Sequence, residues 1–364
     1  MKILVVSNMY PDSDNPSYGI FVKRFVEEAE SIGVLCDKSV MYKKSGKLKK
    51  AFSYITFYVS AFFKCLSPKY DIIYIHYASH SSLPVIMASR LKKLNIYTNV
   101  HGSDIVPENQ SQENWQKYTK RILDISKKII VPSEYFRDLV SSKYNIDKNL
   151  IYIYPSAGVN NNVFCEYSKE CITSLKKDFG ICNDYPVFGM AGRITANKGW
   201  KTFVDAILKM EAADVRANYI IVGEGPDDAE LSKILKETGM ERKIIRLGFL
   251  DQKRLADFYN VIDCFVFPTQ REGESLGLVA LEAMACGTPV ISSDIAAPSY
   301  YVVNESNGLK FNPFSSEELF ACMKGMADTI DCGNIQSFVD SSKKTAEKYF
   351  NNNISVLLKE ILLG

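Results

Sequence analysis

The segment REGESLGLVALEAMACGTPVI, residues 271 to 291, combines an apolar helix-like run with a strand-like run and carboxylates. It runs from a short polar loop through an apolar segment of helical length into the strand-like TPVI. Two glutamates, Glu274 and Glu282, interrupt it with seven residues between them. A buried carboxylate is costly unless it meets hydrogen-bond donors, so both glutamates need a physical reason to be there.

The start of the predicted helix suggests that reason. Ser275, Leu276 and Gly277 are predicted to lie in its first turn, where amides lack intrahelical partners and attract anions. Glu274, just before the turn, could accept hydrogen bonds from ligand hydroxyls; a carboxylate favoured by the helix dipole is the competing interpretation. Glu282 has apolar neighbours, which predicts partial burial and a partner such as a ribose diol. An exposed stripe on an amphipathic helix is its competing interpretation.

Short apolar runs alternate with amphipathic segments on the whole N-terminal side of this stretch. The predicted strands are KILVVS, YDIIYIHY, NIYTNV, KIIVPS and IYIYP, then, after a softer region at 160–185, YPVFGMAG, NYIIVGEG, KIIRLGF, DCFVFP and TPVISS. Continuous apolar strands between helices predict parallel sheets covered on both faces. The fold class is therefore α/β, with two doubly wound Rossmann-like domains.

A chain of 364 residues is long for a single core, which agrees with two domains. We predict an N-terminal domain over 1–165 and a C-terminal domain over 183–344. The last segment, 345–364, is predicted to be a helix that packs back on the first domain. Ligands of doubly wound sheets bind outside the carboxyl ends of the strands, so we expect the two domains to face each other across a ligand cleft.

Charge is unevenly distributed, although the net charge is only +2. Residues 1–165 hold 22 Lys+Arg against 14 Asp+Glu, and residues 166–364 hold 22 against 28. The densest basic run, KKSGKLKK at 43–50, precedes the apolar and aromatic AFSYITFYVSAFFKCL. This pattern predicts a helix resting on anionic lipid headgroups, and a solvated loop before a core helix explains it equally well.

The remaining composition indicates a cytoplasmic protein. MKILVVS reads as a strand without the features of a signal peptide, and no run of 18 uncharged apolar residues predicts a membrane-spanning helix. The nine cysteines, Cys182 among them, form no C-x-x-C pair, which favours free thiols in a reducing compartment. The three histidines carry no convincing metal-binding pattern, so no metal site is predicted.

The segment GRITANKG, residues 192–199, follows a predicted buried strand and precedes a helix. Arg193 and Lys198 would both stand near the carboxyl end of that strand. An arginine binds phosphate oxygens with its planar fork, and a lysine adds a mobile charge. The segment therefore favours an anionic ligand, with ordinary surface charge as the competing interpretation.

Together these motifs resemble the retaining glycosyltransferases of family 4, which have the GT-B fold. The E-x7-E pattern from Glu274 to Glu282 inside ESLGLVALEAMACGTPVI carries the resemblance, and GRITANKG, GEGP and FVFPT fall at corresponding places. In the first domain, SNMYPDSDNPSYGIFVKRFVEE and HGSD at 101–104 are similar to acceptor-side elements of that family. The similarity spans nearly the whole chain and is strongest from about 186 to 295.

The resemblance implies roles for particular residues. Arg193 and Lys198 would neutralise a donor diphosphate, Glu282 would hold the ribose, and Glu274 the sugar hydroxyls. His101 would touch the donor sugar near the reacting carbon. The implied donor-binding set is Gly19, Arg193, Lys198, Phe249, Glu274, Ser275, Leu276, Gly277, Leu278 and Glu282, and the implied catalytic set is Glu274, His101, Arg193 and Lys198.

The resemblance also implies a reaction. A sugar would pass from a UDP- or GDP-sugar, with retention and without metal or cofactor, to a saccharide or a polyprenyl-diphosphate-linked acceptor. Cell-surface polysaccharide or glycolipid would be the product. An anionic membrane surface is a further expected partner, placing the chain peripherally on the inner face of the cell membrane, and nucleic acid is not expected. Two alternatives stay open, a GT-B sugar-nucleotide epimerase and an inactive nucleotide-sugar-binding partner protein.

Overall fold

The computed structural model describes residues 1–16, 18–156, 158–181 and 183–364. They form two compact units, Met1–Ala157 with Asn352–Gly364, and Gly158–Asn351. These boundaries differ from the predicted ones, since residues 158–165 and 345–351, which were predicted in the first domain, belong to the second unit.

The first unit contains a six-stranded parallel sheet in the order β2-β1-β3-β4-β5-β6. Its strands are β1 Lys2–Tyr10, β2 Leu35–Tyr42, β3 Ile72–His76, β4 Ile96–Asn99, β5 Lys128–Val131 and β6 Ile151–Ile153. Its helices are α1 Ile20–Ser31, α2 Lys47–Leu66, α3 Ser82–Ser89, α4 Gln110–Asp124, α5 Glu134–Tyr144, a 3-10 turn at Lys148–Leu150, and α14 Asn351–Leu363, whose first residue still belongs to the second unit.

The second unit contains another six-stranded parallel sheet, in the order β12-β11-β10-β7-β8-β9. Its strands are β7 Val187–Ala191, β8 Asn218–Val222, β9 Ile244–Leu247, β10 Cys264–Phe267, β11 Val290–Ser293 and β12 Gly308–Phe311. Its helices are α6 Lys169–Asp178, α7 Trp200–Ala212, α8 Asp228–Glu237, α9 Gln252–Val261, α10 Leu278–Ala285, α11 Pro298–Tyr301, α12 Ser316–Asp331 and α13 Gln336–Glu347, with 3-10 turns at Ala196–Lys198 and Met240–Arg242.

Alternate residues of each central strand enter cores on opposite faces of the sheet. In β3, Ile73 and Ile75 join one apolar cluster, whereas Ile72 and Tyr74 join the other. In β10, Phe265 and Phe267 likewise join one apolar cluster, whereas Cys264 and Val266 join the other. Helices therefore cover both faces of each sheet, as the continuous apolar runs predicted.

Side-chain caps fix where several helices begin. Asn109 accepts a hydrogen bond from the amide of Gln112 at the start of α4, and Ser133 caps α5 in the same way. Asp251 and Ser315 do so for α9 and α12. Such caps satisfy amides that the helix itself leaves unpaired.

Two edge strands, β2 and β12, and one helix break were not predicted. The segment predicted as one helix over 345–364 is two, because α13 ends at Glu347 and α14 begins at Asn351. The intervening backbone pairs with Val159 instead, whose amide donates to the Tyr349 carbonyl at 2.7 Å. The chain changes units at this break.

No described helix is long and apolar enough to cross a membrane. The eight cysteines that the structure describes are free thiols, and Cys182 lies outside the described residues.

Candidate functional site

The second sheet has a topological switch point between β7 and β10. From β7 the chain proceeds outward to β8 and β9, and it then returns to place β10 on the other side of β7. Loops that leave neighbouring strands in opposite directions open a crevice at the carboxyl ends, which is where such sheets bind ligands. Arg193 and Lys198 follow β7, and Glu274 and Gly277 follow β10.

Lys198 and Glu274, which are 76 residues apart in sequence, form an ion pair in this crevice. The Lys198 ammonium lies 2.5 Å from Oε2 of Glu274, and their side chains are 21% and 13% exposed. Thr269 donates a longer hydrogen bond of 3.4 Å to the same oxygen, and the Arg271 guanidinium lies 4.0 Å from it. The carboxylate is thus held among two cations and a hydroxyl. Sequence reasoning missed Arg271 and Thr269.

Arg193 is placed at the same sheet edge but outside this cluster. Its side chain is exposed on the loop after β7, and no hydrogen bond or ion pair joins it to another described residue. Lys198, in contrast, also lies over the Phe267 ring, 5.8 Å from its centroid. The two predicted cations therefore differ, since the charge of Lys198 is already neutralised by Glu274 and that of Arg193 is not.

Gly277 sets the start of α10, and it does so differently from the sequence prediction. The helix begins at Leu278, so Ser275 and Leu276 precede it and Gly277 is its N-cap, with φ 72° and ψ 47°. This left-handed conformation cannot continue a right-handed helix, which explains why the first turn starts only after Gly277, at Leu278. The amides of Leu278 and Val279 are therefore the ones that face outward from the helix start.

The carbonyl of Gly277 accepts a hydrogen bond of 3.1 Å from the Tyr301 hydroxyl. A methyl group on Gly277 would lie 2.8 Å from that hydroxyl oxygen and 3.0 Å from the Phe267 ring. The backbone here has a left-handed conformation and close neighbours, so glycine is required on both grounds.

Glu282 is buried on α10, with 7% of its surface exposed. The expectation of burial is confirmed, and the exposed-stripe interpretation is wrong. Its carboxylate interacts with the phenol of Tyr259 on α9: burial first, and then the charge of Glu282, raise the pKa of Tyr259 well above its usual value. A carboxylate at this depth is held by partners rather than by water.

Phe249 lies after β9, the outermost strand on that side, and is 83% exposed. The neighbouring Gly248 contacts the Glu224 side chain, since a methyl group on it would lie 2.6 Å from Oε1 of Glu224. Within the described part of the chain, no hydrogen bond, ion pair or ring contact joins Phe249 to Lys198 or Glu274. Glu224, in the GEGP loop after β8, was not singled out from the sequence.

In the first unit, Gly19 ends the loop after β1 and is the N-cap of α1, with φ 73°. The switch point of this sheet lies between β1 and β3, because β2 and β3 flank β1 on opposite sides. His76 is the last residue of β3. Gly19 and His76 therefore stand at the ligand-binding edge expected of this sheet.

His101, after β4, forms a pair with His76. Nε2 of His101 lies 3.0 Å from Nδ1 of His76, and the Phe21 ring lies 4.2 Å from that of His101. Burial lowers the pKa of His101 to about 3, and burial with the neighbouring His101 charge lowers the pKa of His76 well below its usual value. Both rings are neutral at physiological pH, one donating and one accepting.

Asp104 fixes the backbone at His101. Its fully buried carboxylate accepts hydrogen bonds from the amides of His101, Gly102 and Ala78, at 3.0, 2.9 and 2.9 Å. Burial raises the pKa of Asp104, while these amides oppose that shift. From the sequence, the histidines were weighed only as possible metal ligands and no metal site was predicted, so the partnership of His76 with His101 was missed.

No group of three or more His, Cys, Asp or Glu residues suited to a metal ion occurs in the part of the chain that the structure describes.

Comparison with solved structures defines the class of fold. The chain superposes on HepE from Anabaena, solved in complex with UDP, with a TM-score of 0.80 and 18% identity over 100% of both chains. Sucrose-phosphate synthase from Thermosynechococcus elongatus gives a TM-score of 0.79 and 19% identity over 99% of this chain and 97% of that one. Two Rossmann-like units of parallel sheet place the protein in the GT-B class.

Sequence comparison adds the family. Residues 172–326 match the family described as glycosyl transferases group 1, and residues 22–157 match glycosyltransferase family 4. The family 4 match thus lies in the first unit and the group 1 match in the second, and together the two glycosyltransferase matches cover most of the chain.

Two curated relatives illustrate the range of that family. Alpha-monoglucosyldiacylglycerol synthase from Acholeplasma laidlawii is 26% identical over 75% of this chain and 70% of its own length. 2-Deoxystreptamine glucosyltransferase from Streptomyces kanamyceticus is 30% identical over 43% of this chain, and the match spans only 40% of that relative.

Proposed function

We propose that this chain is a glycosyltransferase whose second unit binds a nucleotide-diphosphate sugar. It transfers the sugar, with retention of anomeric configuration and without a metal ion, to a saccharide or lipid-linked acceptor. The observation that carries the proposal is the Lys198–Glu274 pair, at 2.5 Å, in the switch-point crevice beside the glycine-capped start of α10.

The crevice has the groups that a sugar diphosphate requires. Arg193 is exposed and unpaired among the described side chains, so its fork is available to phosphate oxygens. The start of α10 adds outward-facing amides at Leu278, and Gly277 leaves room for a close approach. Each is at the carboxyl edge of a central strand, so the diphosphate needs no large rearrangement of the backbone.

Donor binding would redistribute the ion pair. An anionic diphosphate attracts the Lys198 ammonium, and the Glu274 carboxylate then accepts hydrogen bonds from sugar hydroxyls. Glu282 holds the ribose hydroxyls from its buried position on α10. Hydrogen bonds to a charged acceptor contribute about 1.5–3 kcal/mol each, enough to fix the orientation of the donor.

Retention follows if the acceptor attacks on the face that the phosphate leaves. The bond between the anomeric carbon and the phosphate oxygen breaks, and the bond to the acceptor oxygen forms on that same face. The leaving phosphate takes the acceptor's proton, so no protein nucleophile is needed. Arg193 and Lys198 stabilise the charge that develops on the leaving group, the role that a metal fills elsewhere.

The roles of Gly19, His101, Phe249, Ser275 and Leu276 rest on the family resemblance and stay predictions. The neutral state of His101 agrees with a hydrogen-bonding role toward a sugar rather than with acid catalysis.

The acceptor is proposed as a saccharide or a polyprenyl-diphosphate-linked saccharide, at the cytoplasmic face of the membrane. One of the two relatives is a monoglucosyldiacylglycerol synthase and the other a 2-deoxystreptamine glucosyltransferase, so these relatives include both a lipid product and a substrate that is not a lipid. The epimerase and inactive-partner alternatives are not favoured, because the matched relatives are described as synthase or transferase.

Thermal unfolding with UDP-, GDP-, ADP- and CMP-sugars, in the presence of EDTA, tests the donor site. UDP-sugars come first because HepE was solved with UDP. A ligand at a hundred times its Kd adds about 2.7 kcal/mol to the free energy of unfolding. We expect this stabilisation with one nucleotide family only.

Arg193→Ala, Lys198→Ala and Glu282→Gln should each lose most of that stabilisation, measured against the variant's own ligand-free transition. Lys201→Ala is the matched control, because Lys201 pairs with Glu230 on the exposed surface. Absence of stabilisation by every sugar nucleotide, or equal stabilisation of all variants, would overturn the donor site. NMR of the anomeric proton of the product then tests retention, and activity in EDTA tests metal independence.

A further inference from the structure

Helix α2 carries an apolar stripe that faces solvent. The exposed side chains recur at intervals of four, three, four and four residues, which places them on one face of the helix. They are Leu48, Phe52, Ile55, Val59 and Phe63, with exposed fractions of 88%, 68%, 60%, 51% and 66%. Five large exposed apolar residues in one row are more than a soluble surface needs.

The stripe has no part in the core of its own unit. The opposite face of α2 buries Phe57, Ala61 and Cys65 against the sheet. A surface helix ordinarily has one apolar face and one polar face. Here both faces are apolar, so the outer face must be explained by something other than folding.

The apolar surface continues from α2 onto α3. Met87 on α3 and Leu91, two residues after its end, are 50% and 71% exposed. Between the helices lies a groove of about 240 Å³, whose lining includes Val59, Phe63 and Leu83. The exposed surface is thus a patch across two helices rather than a single ridge.

Basic residues border this patch. From Lys38 to Lys69, both included, the sequence has eight lysines and no acidic residue. Lys47, Lys49 and Lys50 are exposed in the first turn of α2, and Arg90 and Lys93 are exposed beside Leu91. An apolar patch with a cationic border complements an anionic lipid surface, whereas two copies of this face would repel each other.

We infer that this face of the first unit, the α2 stripe with its basic border, docks on a membrane that carries anionic lipids. α2 lies in the plane of the interface, its stripe enters the boundary between headgroups and acyl chains, and its lysines contact lipid phosphates. This inference deepens the proposed function, on which it rests for its biological purpose, because docking brings the enzyme to a lipid-linked acceptor.

Co-sedimentation of the intact chain with vesicles tests the docking. The vesicles contain equal amounts of phosphatidylglycerol and phosphatidylcholine, and phosphatidylcholine alone serves as the comparison. We expect binding to the anionic vesicles that weakens as salt is added. Phe52→Ser/Phe63→Ser should reduce the partition coefficient on the order of tenfold or more, because the stripe loses its two largest side chains.

Lys47→Gln/Lys49→Gln/Lys50→Gln tests the basic border separately. Each lysine near an anionic surface is worth about 1 kcal/mol, so binding at low salt should fall about fivefold per lysine. Phe314→Ser is the matched control for the stripe variant, since Phe314 is 72% exposed in the second unit. All substituted side chains are exposed, and thermal unfolding of each variant verifies folding.

Three results would overturn the docking surface. They are no binding of the native chain to anionic vesicles, equal binding of the stripe variant, and a native dimer in light scattering that the stripe variant makes monomeric. Stabilisation by a sugar nucleotide is measured on the same variants. If the native chain is stabilised by a sugar nucleotide but does not bind anionic vesicles, only the docking surface is overturned. If it binds the vesicles but is not stabilised by any sugar nucleotide, only the proposed function is overturned.

Discussion

The contact between His76 and His101, which are 25 residues apart in sequence, joins two neutral rings. Their ring nitrogens share a 3.0 Å hydrogen bond inside the first unit, where Phe21 and Phe25 also pack on the rings. A proton on either ring would put a charge beside the buried His76 and among aromatic side chains, so the fold favours the neutral pair. This has a measurable consequence for stability in acid.

We predict that the histidine pair makes the free energy of unfolding fall as the pH drops. The unfolded chain takes up a proton on each histidine below about 6.5, whereas the pKa of folded His101 is about 3. The contribution is complete above the unfolded pKa and is lost between these values, at about 1.4 kcal/mol per pH unit for each proton. Urea unfolding at a series of pH values between about 7 and 5 measures the slope.

The double substitution His76→Asn/His101→Asn should reduce the dependence of the free energy of unfolding on pH by up to the contribution of two protons. Burial raises the pKa of Asp104 and of Glu28, which gives the opposite pH dependence, but both carboxylates stay in the variant and cancel in the difference. Equal slopes for the native chain and the double variant would show that the pair is not neutral in the fold.

For individual residues, the sequence predicted burial better than it predicted contacts between side chains. Apolar neighbours were enough to predict that Glu282 is buried. Spacing could not show that Lys198 and Glu274 are paired, that Arg271 approaches the same carboxylate, or that His76 meets His101. These contacts depend on which strands are neighbours, and a linear pattern does not contain that information.

We predict that Gly277→Ala, at the start of helix α10, lowers the free energy of unfolding by about 1–2 kcal/mol. The reason is that a side chain disfavours the left-handed backbone conformation of this residue. The added methyl group also meets the Tyr301 hydroxyl at 2.8 Å, so the start of α10 shifts. The stabilisation that the sugar nucleotide adds should therefore fall by more than the free energy of unfolding of the ligand-free chain does. Chemical unfolding with and without the nucleotide measures both quantities.

Gly325→Ala is the matched control, because Gly325 lies inside α12 and a methyl group there meets nothing within 4 Å. Alanine is the better helix former by about 1 kcal/mol, so this variant should be more stable than the native chain. A Gly277→Ala variant as stable as the native chain, with unchanged nucleotide binding, would contradict the role given to this glycine.

Strands with a strong apolar signal were predictable, including the edge strands β6 and β9, and two edge strands of mixed composition were not. The ten predicted strands correspond to observed ones, whereas β2 and β12 were missed. Both lie at sheet edges, where one side faces no strand and the sequence is not continuously apolar, as in LCDKSVMY and GLKF. The helix predicted over 345–364 contained no proline or glycine before its last residue to mark the break, which pairing with Val159 imposes from outside.

For the molecule as a whole, the chain crosses between the two units twice, because the first unit contains both the first and the last part of the sequence. The last helix, α14, returns to the first unit and buries Ile354, Leu358, Ile361 and Leu362 in its core. The Lys128 ammonium donates a 2.7 Å hydrogen bond to the Ile361 carbonyl, and Ser355 donates to Glu28. The restart of the strand pattern predicted two units, but the crossing point depends on these long-range contacts.

The two tryptophans of the chain allow each unit to be followed separately. Trp115 belongs to the first unit and Trp200 to the second. Trp200→Phe leaves Trp115 as the reporter of the first unit, and Trp115→Phe leaves Trp200 as the reporter of the second. Fluorescence during urea unfolding then assigns a loss of stability to one unit or to both.

In these backgrounds we predict that Leu358→Ala destabilises the first unit alone. Leu358 is fully buried in the first core, so truncation should lower the free energy of unfolding reported by Trp115 by about 2–5 kcal/mol. Val356→Ala, at a 57% exposed position on the same helix, should change it by no more than about 0.5 kcal/mol. The Trp200 signal and the stabilisation by sugar nucleotide should stay unchanged, because Leu358 contributes to no core of the second unit. An equal shift of both tryptophan signals would instead mean that the units unfold as one cooperative body, with α14 stabilising the donor site as well as the domain that it completes.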